Sequence, residues 1–317
     1  LLKVCITNAE PIKKKFLKKS FSALNQNQME SKQKVGIIGI GLIGGSIALG
    51  LRESGWASEI IGIDTNPEHQ SKALSLRLVD RVMTWENALN EVDVFITSTP
   101  VDVLVHIIPQ ILDHLKPHQL IIEVGSTKTP VYEALKNHPK RAQFVSTHPM
   151  AGTEFSGPEA AVLGLFKSKT CVICDKELSS ASAIQIIEDL YTHGLQMQLI
   201  YMDSIGHDVH TAYISHISHI CSFALANTVL EKEKDEKRIF ELASTGFEST
   251  VRLAKSSPET WSQIFHQNQE NLLDVLDEYI NTLLKYKGLM LAGSYDKLKD
   301  ELSKANDIGR ILNNKNK

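Results

Sequence analysis

Two apolar runs near the middle of the sequence end in polar side chains that could transfer a proton. One run ends in Glu123-Val-Gly-Ser126-Thr-Lys128, and the next ends in Ser-Thr-His148-Pro. An imidazole ordinarily titrates near neutral pH, which suits His148 for the role of a general base. The hydroxyl of Ser126 could orient that imidazole or touch a substrate hydroxyl. The pattern therefore predicts a base and a supporting hydroxyl at neighbouring strand ends.

A glycine-rich turn earlier in the chain is typical of dinucleotide binding. Gly39-Ile-Gly41-Leu42-Ile43-Gly44 follows an apolar run and opens an amphipathic stretch. In such a turn Gly39 permits the bend, Gly41 lets the backbone approach a pyrophosphate, and Gly44 lets the helix pack on the strand. Leu42 and Ile43 complete the predicted cofactor-binding turn.

Two further residues extend the predicted cofactor site. Asp64 ends the second apolar run, about 20 residues after Gly44, where a carboxylate accepts hydrogen bonds from both ribose hydroxyls. Because the same carboxylate repels a 2′-phosphate, the sequence predicts NAD rather than NADP as the cofactor. Thr99, at the end of the fourth apolar run, is the last predicted cofactor contact.

Candidates for substrate binding lie in two polar stretches. The loop-forming residues after His148 include Thr153, and the stretch from 245 to 261 includes Gly246 and Arg252. A guanidinium among small polar residues suits bidentate binding of a carboxylate. A solvated arginine is the simpler interpretation, and the residues alone leave both open.

Histidines are concentrated in the second half of the chain, at 207, 210, 216 and 219. On a helix with about 100° per residue these four side chains point in different directions and cannot converge on one ion. Cys171 and Cys174 lack a second pair at zinc-finger spacing, so we interpret them as small buried residues of a strand. We therefore predict no metal site.

The elements that must position these residues change character near residue 202. From 34 to about 200, short apolar β-branched runs alternate with amphipathic stretches, which predicts an α/β domain with a Rossmann-type doubly wound parallel sheet. After Asp203, a plausible helix N-cap, the pattern is all helical, and Ser257-Pro258 is typical of an N-cap and first helical residue. The predicted boundaries are a leader at 1–33, an NAD-binding domain at 34–202, a helical domain at 203–312 and a tail at 313–317.

The first 28 residues differ in composition from the rest of the chain. They hold six lysines and one acidic residue, and the first methionine is Met29. We favour Met29 as the native start, with a basic targeting peptide as the alternative. In either case we expect the leader to be disordered.

Charge and hydropathy limit the classes of partner. The chain has 34 basic and 37 acidic residues and a net charge of −3, so no basic excess indicates nucleic acid. The uncharged stretch 35–51 is too short and too rich in glycine for a membrane-spanning helix. We predict a small-molecule substrate, no nucleic acid, no membrane and, from the cysteine spacing, a cytoplasmic location.

In their order and spacing, the motifs resemble those of the prephenate/arogenate dehydrogenases of tyrosine biosynthesis. The similarity covers about residues 34–312. Its motifs are Gly39–Gly44 with Asp64, Gly125–Lys128, His148–Gly157, His207-Asp208 with Ser215–His219, and Thr250–Trp261. The resemblance implies that prephenate is oxidised at its C4 carbinol by hydride transfer to NAD. The ring carboxylate leaves as CO2, and the product is 4-hydroxyphenylpyruvate.

The resemblance also implies roles for individual residues. It implies that Ser126 supports the catalytic His148 and that Arg252 binds a substrate carboxylate. His207 and His219 are implied to line the substrate pocket. The family's helical domain forms an intertwined dimer, so the resemblance implies a homodimer through this domain.

Three other functions stay open at this point. Arogenate, in which an amine replaces the side-chain ketone, would give tyrosine directly. A β-hydroxyacid dehydrogenase has the same two-domain layout but needs a lysine from the first helix of the helical domain, and residues 203–229 contain none. An NAD-binding redox sensor would have no obvious use for the base.

Overall fold

The computed structural model describes residues 32–235 and 238–314. The boundary between two compact units falls between Asp203 and Ser204. Most of the predicted leader lies outside the described residues, but its last residue, Gln33, already pairs with Ala57 in the sheet. The predicted tail also begins too early, because the last helix extends to Asn314.

The first unit is built on one sheet, which has eight strands within the described residues. The strands are β1 Gln33–Ile38, β2 Ala57–Ile63, β3 Arg81–Val82, β4 Val94–Thr97, β5 Leu120–Glu123, β6 Phe144–Pro149, β7 Thr170–Cys174 and β8 Gln198–Met202. Their spatial order is β3-β2-β1-β4-β5-β6-β7-β8. The order reverses at β1, as in a doubly wound fold, so the predicted fold class is confirmed.

One pairing departs from the predicted parallel sheet. Strands β1 to β6 pair in parallel with their neighbours, whereas β7 runs antiparallel to β6, and β8 runs parallel to β7. A parallel pair needs a crossover connection, usually a helix. The segment between β6 and β7 contains only a short 3-10 turn, Pro158–Ala160, and the chain returns along β6 in the opposite direction.

Helices cover the sheet of the first unit. They are α1 Leu42–Ser54, α2 Pro67–Ser75, α3 Trp85–Ala88, α4 Val101–His114, α5 Thr129–Leu135 and α6 Ala181–Asp189, which continues as a π-helical turn at Leu190–Gly194. The central strands β4 and β5 are buried along their whole length, as expected for strands covered on both faces. Cys171 and Cys174 are fully buried in β7, which confirms them as small buried residues of a strand.

The described residues of the second unit form helices and no strand. Its α-helices are α7 Ser204–Thr211, α8 Ile217–Asp235, α9 Thr245–Val251, α10 Pro258–Gln267, α11 Gln269–Leu291, α12 Tyr295–Ala305 and α13 Asp307–Asn314. The predicted cap is confirmed, because the Ser257 hydroxyl accepts a hydrogen bond from the Thr260 N–H. No helix in the described ranges is long and apolar enough to cross a membrane.

Two details of the helical unit differ from the sequence prediction. A π-helical turn, Ala212–His216, lies between α7 and α8, so a regular rotation of 100° per residue does not apply across the four histidines. The apolar residues from Trp261 to Leu283 recur at helical spacing, which predicts one helix, but the structure divides them between α10 and α11 at Asn268. The Asn268 side chain is buried and bonds to groups on α7 and the π-helical turn, which fixes the break.

Candidate active site

The glycine turn between β1 and α1 has the shape that a dinucleotide requires. Gly39 has φ +88°, and a Cβ there would lie 2.8 Å from the Ser98 carbonyl oxygen. A Cβ on Gly44 would lie 2.1 Å from the Gly39 carbonyl oxygen, so both positions exclude a side chain. At Gly41, by contrast, a Cβ would meet nothing within 4 Å. The turn is therefore tight where it packs and open where a pyrophosphate would approach.

Asp64 and Thr99 complete this end of the sheet. The Asp64 carboxylate accepts hydrogen bonds from Ile40 N (3.0 Å) and Asn66 N (2.9 Å), which fixes it beside the glycine turn. The buried Oγ1 of Thr99 has no hydrogen-bond partner among the described residues. A buried hydroxyl without a partner is unfavourable until a ligand supplies one. The predicted cofactor residues, including Leu42 and Ile43 at the start of α1, thus lie together and fit a dinucleotide.

Ser126 and His148 lie at the same edge of the sheet. Strands β5 and β6 are parallel neighbours, with Glu123 opposite Ser146. Ser126 follows the end of β5, and His148 lies in the last part of β6, which ends at Pro149. Both side chains are half-buried. In an open α/β sheet this carboxyl edge is where ligands bind.

A buried ion pair lies close to these two residues in the chain. The sequence patterns did not predict it. Lys128 and Glu123 have no exposed side-chain area, and Lys128 Nζ lies 2.5 Å from Glu123 Oε1 and 2.6 Å from Oε2. The same ammonium donates to the Thr147 carbonyl oxygen at 2.6 Å. A charged residue ending an otherwise apolar strand, followed by a lysine, was the available sequence signal.

In the helical unit, buried polar residues link α7 to the start of α11. His207 Nδ1 lies 2.8 Å from Asp208 Oδ1, and both side chains are buried. The Asn268 amide donates to the Asp208 carbonyl oxygen at 2.7 Å and lies 3.0 Å from His216 Nδ1. Burial lowers the pKa of His216 to about 4, against a smaller opposing effect of the Asp208 charge. His216 is therefore neutral and accepts the hydrogen bond from Asn268.

His219 belongs to a neighbouring aromatic cluster. Its ring stacks on Trp261 with centroids 3.4 Å apart and planes at 20°, and His216 meets the same indole edge-on at 6.0 Å. Burial lowers the pKa of His219, and the positive charge of Arg252 lowers it further, whereas the hydrogen bond that His219 Nδ1–H donates to the Ser215 carbonyl oxygen raises it. Arg252 is exposed, in a 3-10 turn after α9. The charge of Arg252 thus influences the His219 ring.

The remaining predicted substrate contacts are exposed. Thr153 lies in the loop after β6, where its hydroxyl accepts a hydrogen bond from Phe155 N at 3.3 Å. Gly246 lies in α9, and its carbonyl accepts the hydroxyls of Ser249 and Thr250 at 2.9 and 2.8 Å. Within the described part of the chain, no group of three or more His, Cys, Asp or Glu could hold a metal ion.

The fold and the residues at the carboxyl edge of the sheet define the class of protein. An open glycine turn, a carboxylate fixed beside it and a histidine at a neighbouring strand end are features of a dinucleotide-dependent dehydrogenase. Residues 47–198 match the family model of the prephenate dehydrogenase nucleotide-binding domain, and residues 203–304 match the prephenate dehydrogenase dimerization domain. The chain belongs to the prephenate dehydrogenase family, which confirms the resemblance seen in the motifs.

Individual relatives agree with this assignment. Over 264 residues, 82% of this chain and 70% of the relative, the chain is 33% identical to the prephenate dehydrogenase of Bacillus subtilis strain 168. It is similar to the A. aeolicus prephenate dehydrogenase solved with hydroxyphenyl propionate and NAD+, with TM-score 0.80, 28% identity and coverage of 89% and 98% of the two chains. The Synechocystis arogenate dehydrogenase structure matches with TM-score 0.70, 26% identity and coverage of 88% and 99%.

Proposed function

We propose that this protein catalyses the NAD-dependent oxidative decarboxylation of prephenate to 4-hydroxyphenylpyruvate. The observation that carries the proposal is the position of His148 and Ser126 at the carboxyl ends of paired strands, on the edge that also holds the glycine turn. The A. aeolicus relative supports it, because that protein binds NAD+ together with hydroxyphenyl propionate. That ligand has the phenol ring and three-carbon acid of the proposed product.

The residues at the strand ends suit the proton steps of this reaction. Bound NAD supplies the acceptor for the hydride that leaves C4 of the ring. His148 takes the proton of the C4 hydroxyl as the C–O bond becomes a carbonyl, and Ser126 orients the imidazole. The ring carboxylate leaves as CO2, its bonding electrons restore the aromatic ring and pass to the oxygen, and the phenolate can take the proton back from His148.

The cofactor is assigned to the glycine turn and its neighbours. The N–H groups at the start of α1, from Gly41 to Gly44, would bind the pyrophosphate. Asp64 would accept hydrogen bonds from the ribose hydroxyls, and its negative charge disfavours a 2′-phosphate. The hydroxyl of Thr99 would gain the partner that it lacks among the described protein groups.

The substrate carboxylates are assigned to the helical unit. Arg252 is exposed and can offer a bidentate donor pair, and the stacked ring of His219 lies within reach of the same charge. His207, Thr153 and Gly246 stay predicted substrate contacts. A neutral, desolvated histidine beside an arginine suits binding rather than proton transfer.

A homodimer through the helical unit is the proposed assembly. The match of residues 203–304 to a dimerization domain supports it. So does the long helix α11, which exposes large apolar side chains at Leu273, Ile280, Leu283 and Leu284. Exposed apolar surface of this kind often marks a protein interface. A cytoplasmic location is also proposed, because the spacing of the cysteines gives no disulfide ladder.

Arogenate is the second candidate substrate, favoured by the similarity to the Synechocystis arogenate dehydrogenase. The test is an assay of reduced-cofactor formation with prephenate and arogenate, each combined with NAD and with NADP. We expect the highest kcat/KM with prephenate and NAD. A higher value with arogenate would reassign the substrate, and no activity with either compound would exclude the proposed function.

A further inference from the structure

The Lys128–Glu123 ion pair contacts the backbone immediately before both proton-transfer residues. Lys128 Nζ donates to the carbonyl oxygen of Thr147, the residue that precedes His148. Glu123 Oε2 accepts from the N–H of Gly125, the residue that precedes Ser126, at 2.7 Å. One buried pair of charges is thus bonded to the two peptides on which the base and its supporting hydroxyl depend.

Further hydrogen bonds hold the same pair in place. Glu123 Oε1 also accepts from the Ser146 hydroxyl at 2.7 Å. The Thr147 hydroxyl donates to the Glu123 carbonyl oxygen. It also lies 2.6 Å from the hydroxyl of Tyr191, which belongs to the π-helical turn Leu190–Gly194 after α6. Residue 147 is therefore held through its carbonyl and through its side chain, and each carboxylate oxygen of Glu123 has two donors.

Stability alone does not explain such a pair. Removing two charges from water is costly, and a neutral pair of similar size is often equally stable or more stable. Strands β5 and β6 are already joined by their backbone ladder. The specific contribution of the ion pair is directional, since it fixes the ends of the two strands relative to each other by short bonds to named peptides.

We propose that Lys128 and Glu123 are positioning residues that hold His148 and Ser126 in their reactive geometry. The proposal rests on the proposed function of His148 as the base. Neither charge has exposed area, so the pair acts through the backbone rather than through contact with substrate. Misplacing a catalytic group by about 1 Å can cost roughly 10²-fold in rate, which sets the scale of the expected effect.

The experiment compares the double variant Glu123→Gln with Lys128→Met against the wild type. The double variant removes both charges and keeps an amide oxygen at position 123 as an acceptor for the Gly125 N–H. Lys136→Met is the matched control. Lys128 and Lys136 flank the two ends of α5, but Lys136 makes an exposed ion pair with Glu133. Each protein is measured for melting temperature, NAD affinity, kcat and KM, and for the pH titration of His148 by 15N-histidine NMR, assigned with His148→Asn.

We expect the double variant to melt near the wild-type temperature and to bind NAD normally. Its kcat should fall roughly 10-fold to 10²-fold, with an altered His148 titration, while Lys136→Met matches the wild type in all measurements. Wild-type kcat and an unchanged His148 resonance in a folded double variant would overturn the proposal and leave the pair a purely structural role.

Two further arms keep the result decisive. If the double variant does not fold, Lys128→Arg keeps both charges but changes the geometry of the donor that bonds to the Thr147 carbonyl, and an unchanged kcat and His148 resonance in that variant would likewise overturn the proposal. If the wild type oxidises neither prephenate nor arogenate, the proposed function fails. The His148 titration then decides the positioning role by itself.

Discussion

In the first unit, buried charges contact the backbone of the residues before Ser126 and His148, whereas in the helical unit side chains contact the rings of His216 and His219. At the strand ends, the charges of Lys128 and Glu123 bond to the peptides next to the reactive residues. In the helical unit, Asn268 and Trp261 contact the imidazoles themselves. The backbone contacts in the first unit position the main chain from which a side chain extends. The side-chain contacts in the helical unit position the imidazole ring and control its charge.

This difference separates the two kinds of chemistry. The proposed base must gain and lose a proton, so its ring needs some access to solvent or substrate, and His148 is half-buried. Burial can instead fix a protonation state, and it keeps His216 neutral by lowering its pKa to about 4. We therefore expect substitutions at the strand ends to change turnover, and substitutions in the helical unit to change stability and substrate affinity.

The largest effect is expected for His148→Asn. Loss of a general base lowers kcat by roughly 10²-fold to 10⁴-fold, and the half-buried position predicts a melting temperature close to that of the wild type. The measurement is steady-state kinetics with prephenate, beside NAD binding and thermal unfolding. An unchanged kcat in this variant would show that His148 is not the base. The proposed difference between the two regions would then be wrong.

The predicted cofactor and proton-transfer positions follow from backbone geometry, which local sequence patterns encode. Only glycine fits at positions 39 and 44, because a Cβ there would collide with the backbone. The spacing of these glycines therefore predicted the turn. Ser126 and His148 were predicted because polar residues at strand ends meet at one edge. The bond from Lys128 to the Thr147 carbonyl was not predicted, because it reaches a residue of the neighbouring strand and leaves no local pattern.

The helical histidines were predicted less well, because side-chain contacts between helices have no period. Regular helical rotation placed the four histidines in separate directions, but the π-helical turn breaks that rotation between His210 and His219. The structure instead sets His216 and His219 against one indole. Asn268 carried no signal at all, since its role depends on Asp208 and His216, more than 50 residues away.

The second effect is a pH dependence of stability that belongs to the helical unit. The pKa of His216 is about 4 in the folded protein and 6.5 without burial, so the unfolded chain binds this proton first as the pH falls. The contribution of neutral His216 is fully present above pH 6.5 and is lost between pH 6.5 and 4. The loss is on the order of 3 kcal/mol and is measurable from urea unfolding at several pH values.

Two variants assign this slope to its residue. His216→Gln keeps a polar side chain beside Asn268 and should flatten the stability profile between pH 6.5 and 4. His210→Gln changes an exposed histidine of the neighbouring turn and should leave the profile as in the wild type. An equal slope in all three proteins would show that burial does not control the charge of His216.

The smallest effect is expected for Arg252→Gln. Losing one charge-assisted pair with a substrate carboxylate should raise KM for prephenate about 10-fold, with kcat almost unchanged, because binding is lost equally in the ground and transition states. The same substitution removes a positive charge that lowers the pKa of His219, so that pKa should rise. Lys255→Gln changes a neighbouring exposed cation in the same 3-10 turn and should alter neither quantity. A fall in kcat with constant KM in Arg252→Gln would instead place this residue with the strand-end residues that act on the reaction.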